Sequence, residues 1–216
     1  MKNLKINKKC RCELLSYILK YYNDYFKRAV DPYLHKGKRK INNNYYPFIP
    51  TPSCSTLGIV TVLDSLLLSI KKGTRAGYEP RFIDCGCGVG NIVLLAKALG
   101  YVSHGIEYDG KTCNIARKLV PNDCHIIRSN ITKFRRYGNY DVIYFYVPIM
   151  HEEMDIFVNR IHDKAKVGAY ILSYGYNPKI LFRSKKFKHI PIEINVDAES
   201  LGYNTPINPI NIYRKV

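Results

Sequence analysis

Several familiar signatures are missing from this 216-residue chain, and each absence closes off a class of function. Its seven cysteines, at positions 10, 12, 54, 85, 87, 113 and 124, form no Cys-x-x-Cys pair, and Cys10-x-Cys12 and Cys85-x-Cys87 are too closely spaced for a zinc knuckle. An odd set of thiols without a pairing pattern fits a reduced, cytoplasmic protein better than a disulfide framework. The start is polar and basic with no apolar core, so no secretory leader is expected. The most apolar stretch, Leu57 to Ile70, is broken by Thr61, Asp64, Ser65 and Ser69, so no membrane span is expected. No internal repeat and no obvious catalytic triad is present. Acid is scarce: 17 Asp and Glu face 34 Lys and Arg, for a net charge of +17.

What is present describes a folded chain. Hydrophobic residues make up 46%, enough for a globular core in a protein of this length. The positive charge is uneven. Residues 1–45 hold 12 Lys/Arg against 3 Asp/Glu, residues 46–175 hold 15 against 11, and residues 176–216 hold 7 against 3. The excess at the front suggests an acidic partner such as nucleic acid, or else a solubilising bias.

The stretch Arg81-Phe82-Ile83-Asp84-Cys85-Gly86-Cys87-Gly88-Val89-Gly90-Asn91 organises the rest. An apolar run leads to an acid and then to three glycines at alternate positions. A helical pattern follows, and a second strand-like segment ends at Glu107, where a carboxylate can accept hydrogen bonds from ribose hydroxyls. Strand, glycine-rich turn, helix, strand and acid make the first half of a nucleotide-binding α/β fold. A dinucleotide fingerprint would place its third glycine at position 91, where this chain has Asn91. The pattern Asp84-x-Gly86-x-Gly88-x-Gly90 instead resembles the first motif of the class I S-adenosylmethionine-dependent methyltransferases. That resemblance implies that Asp84 lies near the cofactor's methionine amino group, and that Gly86, Gly88, Gly90 and Glu107 line its site.

Along the chain, Leu14, Leu15, Ile18, Leu19, Tyr22, Tyr25 and Phe26 predict an amphipathic helix over about 11–30, ending before Asp31-Pro32. With the basic loop that follows, residues 1–45 read as a helical extension, and residues 46–216 as the methyltransferase domain. Pro47, Pro50 and Pro52 impose an extended path before a helix running to Lys72, capped by Ser53 or Thr51, with Leu57, Val60, Leu63, Leu67 and Ile70 on its core face. Strands are expected at 81–86, 103–108, 124–129, 140–147 and 168–175, and helices at 90–99, 110–120 and 151–165. This alternation predicts a mostly parallel sheet with ligands at the carboxyl ends of its strands. Ile190 to Asn195 and Ile210 to Val216 read as a closing antiparallel hairpin. The expected architecture is a Rossmann-like, seven-stranded class I methyltransferase fold with an N-terminal helical extension.

After the third strand the family places an acid or amide near the adenine amino group, and Asn130 occupies that point, although it can equally start a turn. Asp109 reads as a helix cap. The fourth strand ends Tyr146-Val147-Pro148-Ile149. Nucleobase-amine methyltransferases carry a polar residue, two prolines and an aromatic there, and most of that pattern is missing. Cytosine-C5 enzymes need a Pro-Cys nucleophile in this region, and no cysteine lies between 125 and 216.

The segments Pro47 to Thr51, Gly88-Val89-Gly90, Gly105-Ile106-Glu107 and Val142 to Pro148 are similar to the small seven-strand protein-lysine methyltransferases, including those acting on the ATP synthase c subunit and the adenine nucleotide carrier. The likeness spans about residues 46–175. It implies that Thr51 and its neighbours fold over the cofactor, and that Tyr146 and Pro148 stand at the reacting centre. A lysine amine must be neutral to attack, which an apolar, aromatic channel favours. Tyr144, Phe145, Tyr146, Tyr174 and Tyr176 can supply such walls, with Tyr144 and Tyr146 on one face of their strand and Phe145 on the other. Two alternatives stand beside a protein-lysine acceptor. One is RNA or DNA methylation with nucleic acid held by the basic extension. The other is a non-catalytic basic binding protein on the same scaffold.

Overall fold

The computed structural model describes residues 53–149, 151–192 and 210–216. The expected helix at 11–30, the extension at 1–45 and Thr51 lie outside them. Helix α1 spans Ser53–Lys72 and opens the described chain. Val60, Leu63, Leu67 and Ile70 recur at three- and four-residue intervals and are all buried. Lys71 and Lys72 sit in the last turn, where cations complement the helix dipole.

Strand β1 (Arg81–Cys85), helix α2 (Asn91–Leu99), strand β2 (Val102–Glu107), helix α3 (Gly110–Leu119) and strand β3 (His125–Arg128) then alternate. A 3-10 turn at Tyr137–Asn139 precedes β4 (Val142–Tyr146), helix α4 (His151–Lys164), β5 (Tyr170–Tyr174), the short helix α5 (Lys179–Arg183), β6 (Phe187–Ile190) and β7 (Ile210–Lys215). The seven strands form one sheet in the order β3-β2-β1-β4-β5-β7-β6. The pairs from β3 to β5 are parallel, and β7 runs antiparallel to both β5 and β6. The strand order reverses between β1 and β4, where α/β sheets bind their ligands.

The expected hairpin forms with Phe187–Ile190 as its first strand, and residues 193–195 of the expected 190–195 strand lie outside the described residues. Phe187 is buried and anchors the strand, while Pro191 has no N–H to extend a ladder. Helix α5 has only five residues after Pro178, too short for a periodic signal.

Two cores sandwich the sheet. On one face α1 and α2 cover Phe82, Tyr144, Leu172 and Tyr174. The buried Tyr101 hydroxyl donates to the Leu63 carbonyl (2.7 Å), so the loop after α2 is tied to α1. On the other face α4 lays Phe157, Val158 and Ile161 against Ile83, Ile143, Phe145 and Tyr213. A smaller cluster of Cys87, Val93, Cys113, Ala116, Cys124 and Ile126 sits beside the glycine turn. As strand alternation requires, Tyr144 and Tyr146 pack toward the first core and Phe145 toward the second.

Candidate functional site

The carboxyl ends of β1, β2 and β4 converge on the turn at 86–90. Gly86 and Cys87 donate their N–H groups to one acceptor, the Ile106 carbonyl, at 2.8 and 2.9 Å. This pins the turn against β2. Gly86 has φ 83°, and a methyl group there would lie 2.4 Å from Pro148 Cβ. Gly90 has φ 87° and precedes α2, and a methyl there would lie 2.7 Å from Val120. Both positions exclude a side chain twice, by backbone conformation and by space. Cys85 and Cys87 are buried, free thiols, as expected for small residues packed beside the turn. Cys87 Sγ and Val93 occupy the space that a side chain at Gly105 would need.

Glu107 ends β2 with its carboxylate aimed back at the turn. Its Oε2 accepts from the Gly88 N–H (3.0 Å) and its Oε1 from the Asp109 N–H (2.8 Å). Burial raises its pKa, partly offset by these N–H donors. Asp84 is 3% exposed, and burial pushes its carboxyl well above the usual range, with the Glu107 charge adding to the rise. Two carboxyl groups thus crowd one crevice, a cost that a cationic ligand would relieve. That donor set fits a ligand carrying an ammonium and ribose hydroxyls.

Asp109 caps α3 as expected, accepting from the Thr112 N–H (2.8 Å) and hydroxyl (2.7 Å). Asn130 follows β3, with its side-chain oxygen accepting from the Thr132 N–H and hydroxyl, both at 2.8 Å. The amide therefore builds a turn, and its NH₂ is the end left to meet a ligand.

The second wall of the crevice is aromatic. Tyr146 is partly exposed at the end of β4, and its ring lies 4.8 Å from that of Tyr174. Burial raises the Tyr146 hydroxyl pKa, and the phenol of Tyr174 adds to it. Tyr144 and Tyr174 are fully buried and belong to the core. Val147 is the only non-glycine among the described residues with positive φ, at 30°. Such a conformation costs on the order of 1–3 kcal/mol and turns the chain so that Pro148 rests on Gly86.

One feature escaped the motif reading. Glu152, Glu153 and Asp155 open α4 at this same end of the sheet. The Tyr176 hydroxyl, just past β5, reaches Asp155 Oδ1 at 3.4 Å. Acids in a first helical turn are ordinary dipole partners, so the sequence signal was bland. The meeting of Asp155 with Tyr176 needed the fold.

The arrangement defines a class I methyltransferase fold. Residues 83–173 match the family described as a methyltransferase domain. A search of curated proteins finds no match. Among solved structures, the chain is similar to magnesium protoporphyrin IX methyltransferase from Synechocystis PCC 6803 at 15% identity, covering 94% of this chain and 97% of that one, with a TM-score of 0.52. It is also similar to an S-adenosylmethionine-dependent methyltransferase from Mesorhizobium loti at 13% identity, covering 68% and 96%, with a TM-score of 0.50. An RNA methyltransferase from Salinibacter ruber aligns at 17% identity over 77% and 92%, with a TM-score of 0.48. By its domain match and fold, residues 83–173 carry a methyltransferase domain on a class I methyltransferase fold. No described helix is long and apolar enough to cross a membrane.

Proposed function

We propose that the protein transfers a methyl group from S-adenosyl-L-methionine to the side-chain amine of a protein lysine. The observation that carries this reading is the sign of charge at the acceptor mouth. On a chain of net charge +17, helix α4, which follows the strand end carrying Tyr146, opens with Glu152, Glu153 and Asp155. Carboxylates there attract an ammonium and repel phosphates.

Bound S-adenosylmethionine supplies an already activated methyl on a sulfonium, so positioning and charge are what remain for the protein. In this reading Asp84 faces the methionine ammonium, Glu107 the ribose hydroxyls and Asn130 the adenine edge. Gly86, Gly88 and Gly90 let the backbone approach. The rim carboxylates collect the lysine in its charged form. Passage between Tyr146, Pro148 and Tyr176 strips its water and favours release of the proton. The neutral amine then presents its lone pair to the methyl carbon. With the cofactor bound, the C–N bond would form as the C–S bond breaks, and the resulting ammonium would shed a proton to solvent. The raised Tyr146 phenol keeps its proton near neutrality and can accept an N–H from the amine without adding charge. The buried free thiols Cys85, Cys87, Cys113 and Cys124 accord with a cytoplasmic location.

Incubation of the purified protein with methyl-labelled cofactor and a cell extract tests this. Label that is lost to protease and recovered as methyl-lysine after acid hydrolysis is the expected result. Label lost to nuclease instead would overturn it in favour of RNA or DNA.

A further inference from the structure

The β6 edge of the sheet carries a second charged surface, which runs from Lys179, three residues past Tyr176, to Lys188 near the start of β5. Between Asp163 and Glu193 the sequence contains no acid, but it holds Lys179, Arg183, Lys185, Lys186 and Lys188, and all five are exposed. None of them forms an ion pair with a carboxylate among the described residues. Strand β6 is the edge of the sheet, and Lys188 pairs directly with Arg214 of β7. Like charges directly opposite across two strands are destabilising. Nearby, burial lowers the Lys215 pKa and the charge of Lys186 lowers it further. Among the described residues Asp163 contacts His162 Nδ1 at 2.9 Å, and its carboxyl pKa is lowered by that hydrogen bond and in part by the charges of Lys186 and Lys215.

An aromatic sits within this charge. Phe182 is 62% exposed, and the His189 ring meets it edge-on at 6.0 Å. The turn between α5 and β6 is fixed rather than loose: Ser184 Oγ accepts the Lys186 N–H (3.2 Å) and bonds His162 Nε2 (2.9 Å). Lysines on an edge strand also discourage strand-to-strand pairing. That role does not call for an exposed phenyl ring in the middle of the charge.

We propose that the belt formed by Lys179, Arg183, Lys185, Lys186, Lys188 and Arg214 around Phe182 and His189 binds single-stranded nucleic acid. The cations follow the phosphates, and a base stacks on the exposed ring. Phe187 and Lys188 align with the starts of β5 and β7's far end, whereas the acceptor mouth lies at the opposite ends of β4 and β5. Nucleic acid held here is a tether and not the methyl acceptor, so the inference does not rest on the lysine reading.

The test is fluorescence anisotropy of the full chain with a labelled mixed-sequence single strand, as RNA and as DNA, over a range of salt. Circular dichroism melts confirm that each variant is folded. Phe182→Ala is expected to weaken binding roughly fivefold or more. Lys185→Ala/Lys186→Ala/Lys188→Ala is expected to flatten the log affinity against log salt slope by about 2. Absence of binding, or folded variants that bind as wild type does, would overturn the proposal and leave the charge as an edge guard or assign binding to residues 1–45. Loss of binding to anionic phosphatidylserine vesicles on Phe182→Ala, with oligonucleotide binding unchanged, would overturn it in favour of a membrane surface.

Discussion

The two walls of the crevice are built from different materials. On the β1–β2 side the backbone does the positioning. Two N–H groups share the Ile106 carbonyl, and Glu107 is held by the Gly88 and Asp109 amides. On the β4–β5 side the side chains do it, through the Tyr146–Tyr174 ring pair and the carboxylates opening α4. A backbone site admits few residue types, because only glycine fits Gly86 against Pro148. A side-chain site can be rebuilt with many residue types. The first wall suits a cofactor shared by a whole fold, and the second suits an acceptor peculiar to one enzyme.

Substitutions separate the walls. The largest effect is expected from Gly86→Ala, which adds a 2.4 Å clash with Pro148 to a left-handed backbone. It should reduce S-adenosylmethionine affinity roughly 100-fold or more by calorimetry and also lower stability. Asp84→Asn comes next. A carboxyl whose folded-state pKa is raised adds stability below its unfolded pKa and loses it as pH rises through the folded value. At neutral pH the ligand-free protein therefore bears the cost of that buried acid. Asp84→Asn should raise its melting temperature while weakening cofactor binding roughly 10–100-fold, the loss of one charge-assisted contact. Equal weakening by Tyr146→Ala would break the comparison. That variant should instead lower kcat/KM for the acceptor roughly tenfold and leave the cofactor dissociation constant within about twofold.

The smallest effect concerns neither wall. His104 lies within β2, its Nδ1 2.8 Å from the Tyr140 hydroxyl. Its pKa is lowered to about 4 by burial, with His125, Arg81 and Arg136 adding to the shift. A depressed histidine contributes stability above its unfolded pKa and loses it as pH falls toward about 4. His104→Gln should remove on the order of 2 kcal/mol of the acid sensitivity between that value and about pH 6.5, as read by denaturant melts.

Legibility in the sequence followed the same division. The alternation from Arg81 to Tyr174 specified the parallel sheet, because its buried strands are apolar runs bounded by turns. The glycine spacing placed the crevice, and Asp109 announced its cap. The first hairpin strand was missed because Phe187-Lys188-His189-Ile190 has only two apolar residues in four, while the Ile-rich segment after it looks more like a strand. The bend at Val147 had no signal, since a β-branched residue is the last type expected at positive φ. The acids of α4 were visible as residues, but their neighbours were not, because only the fold brings Tyr176 to Asp155.

The contact between Gly86 and Pro148 has a consequence for turnover. With no room for a methyl group between them, the cofactor turn and the acceptor turn share one partition. Whatever displaces one face of it displaces the other. Heterotropic linkage then runs in both directions: the factor by which bound cofactor tightens the acceptor is the factor by which the acceptor tightens the cofactor. Under the proposed function, methyl transfer would remove the sulfonium's charge from this crevice. Through that partition, the loss of charge would double as the release signal for the methylated product.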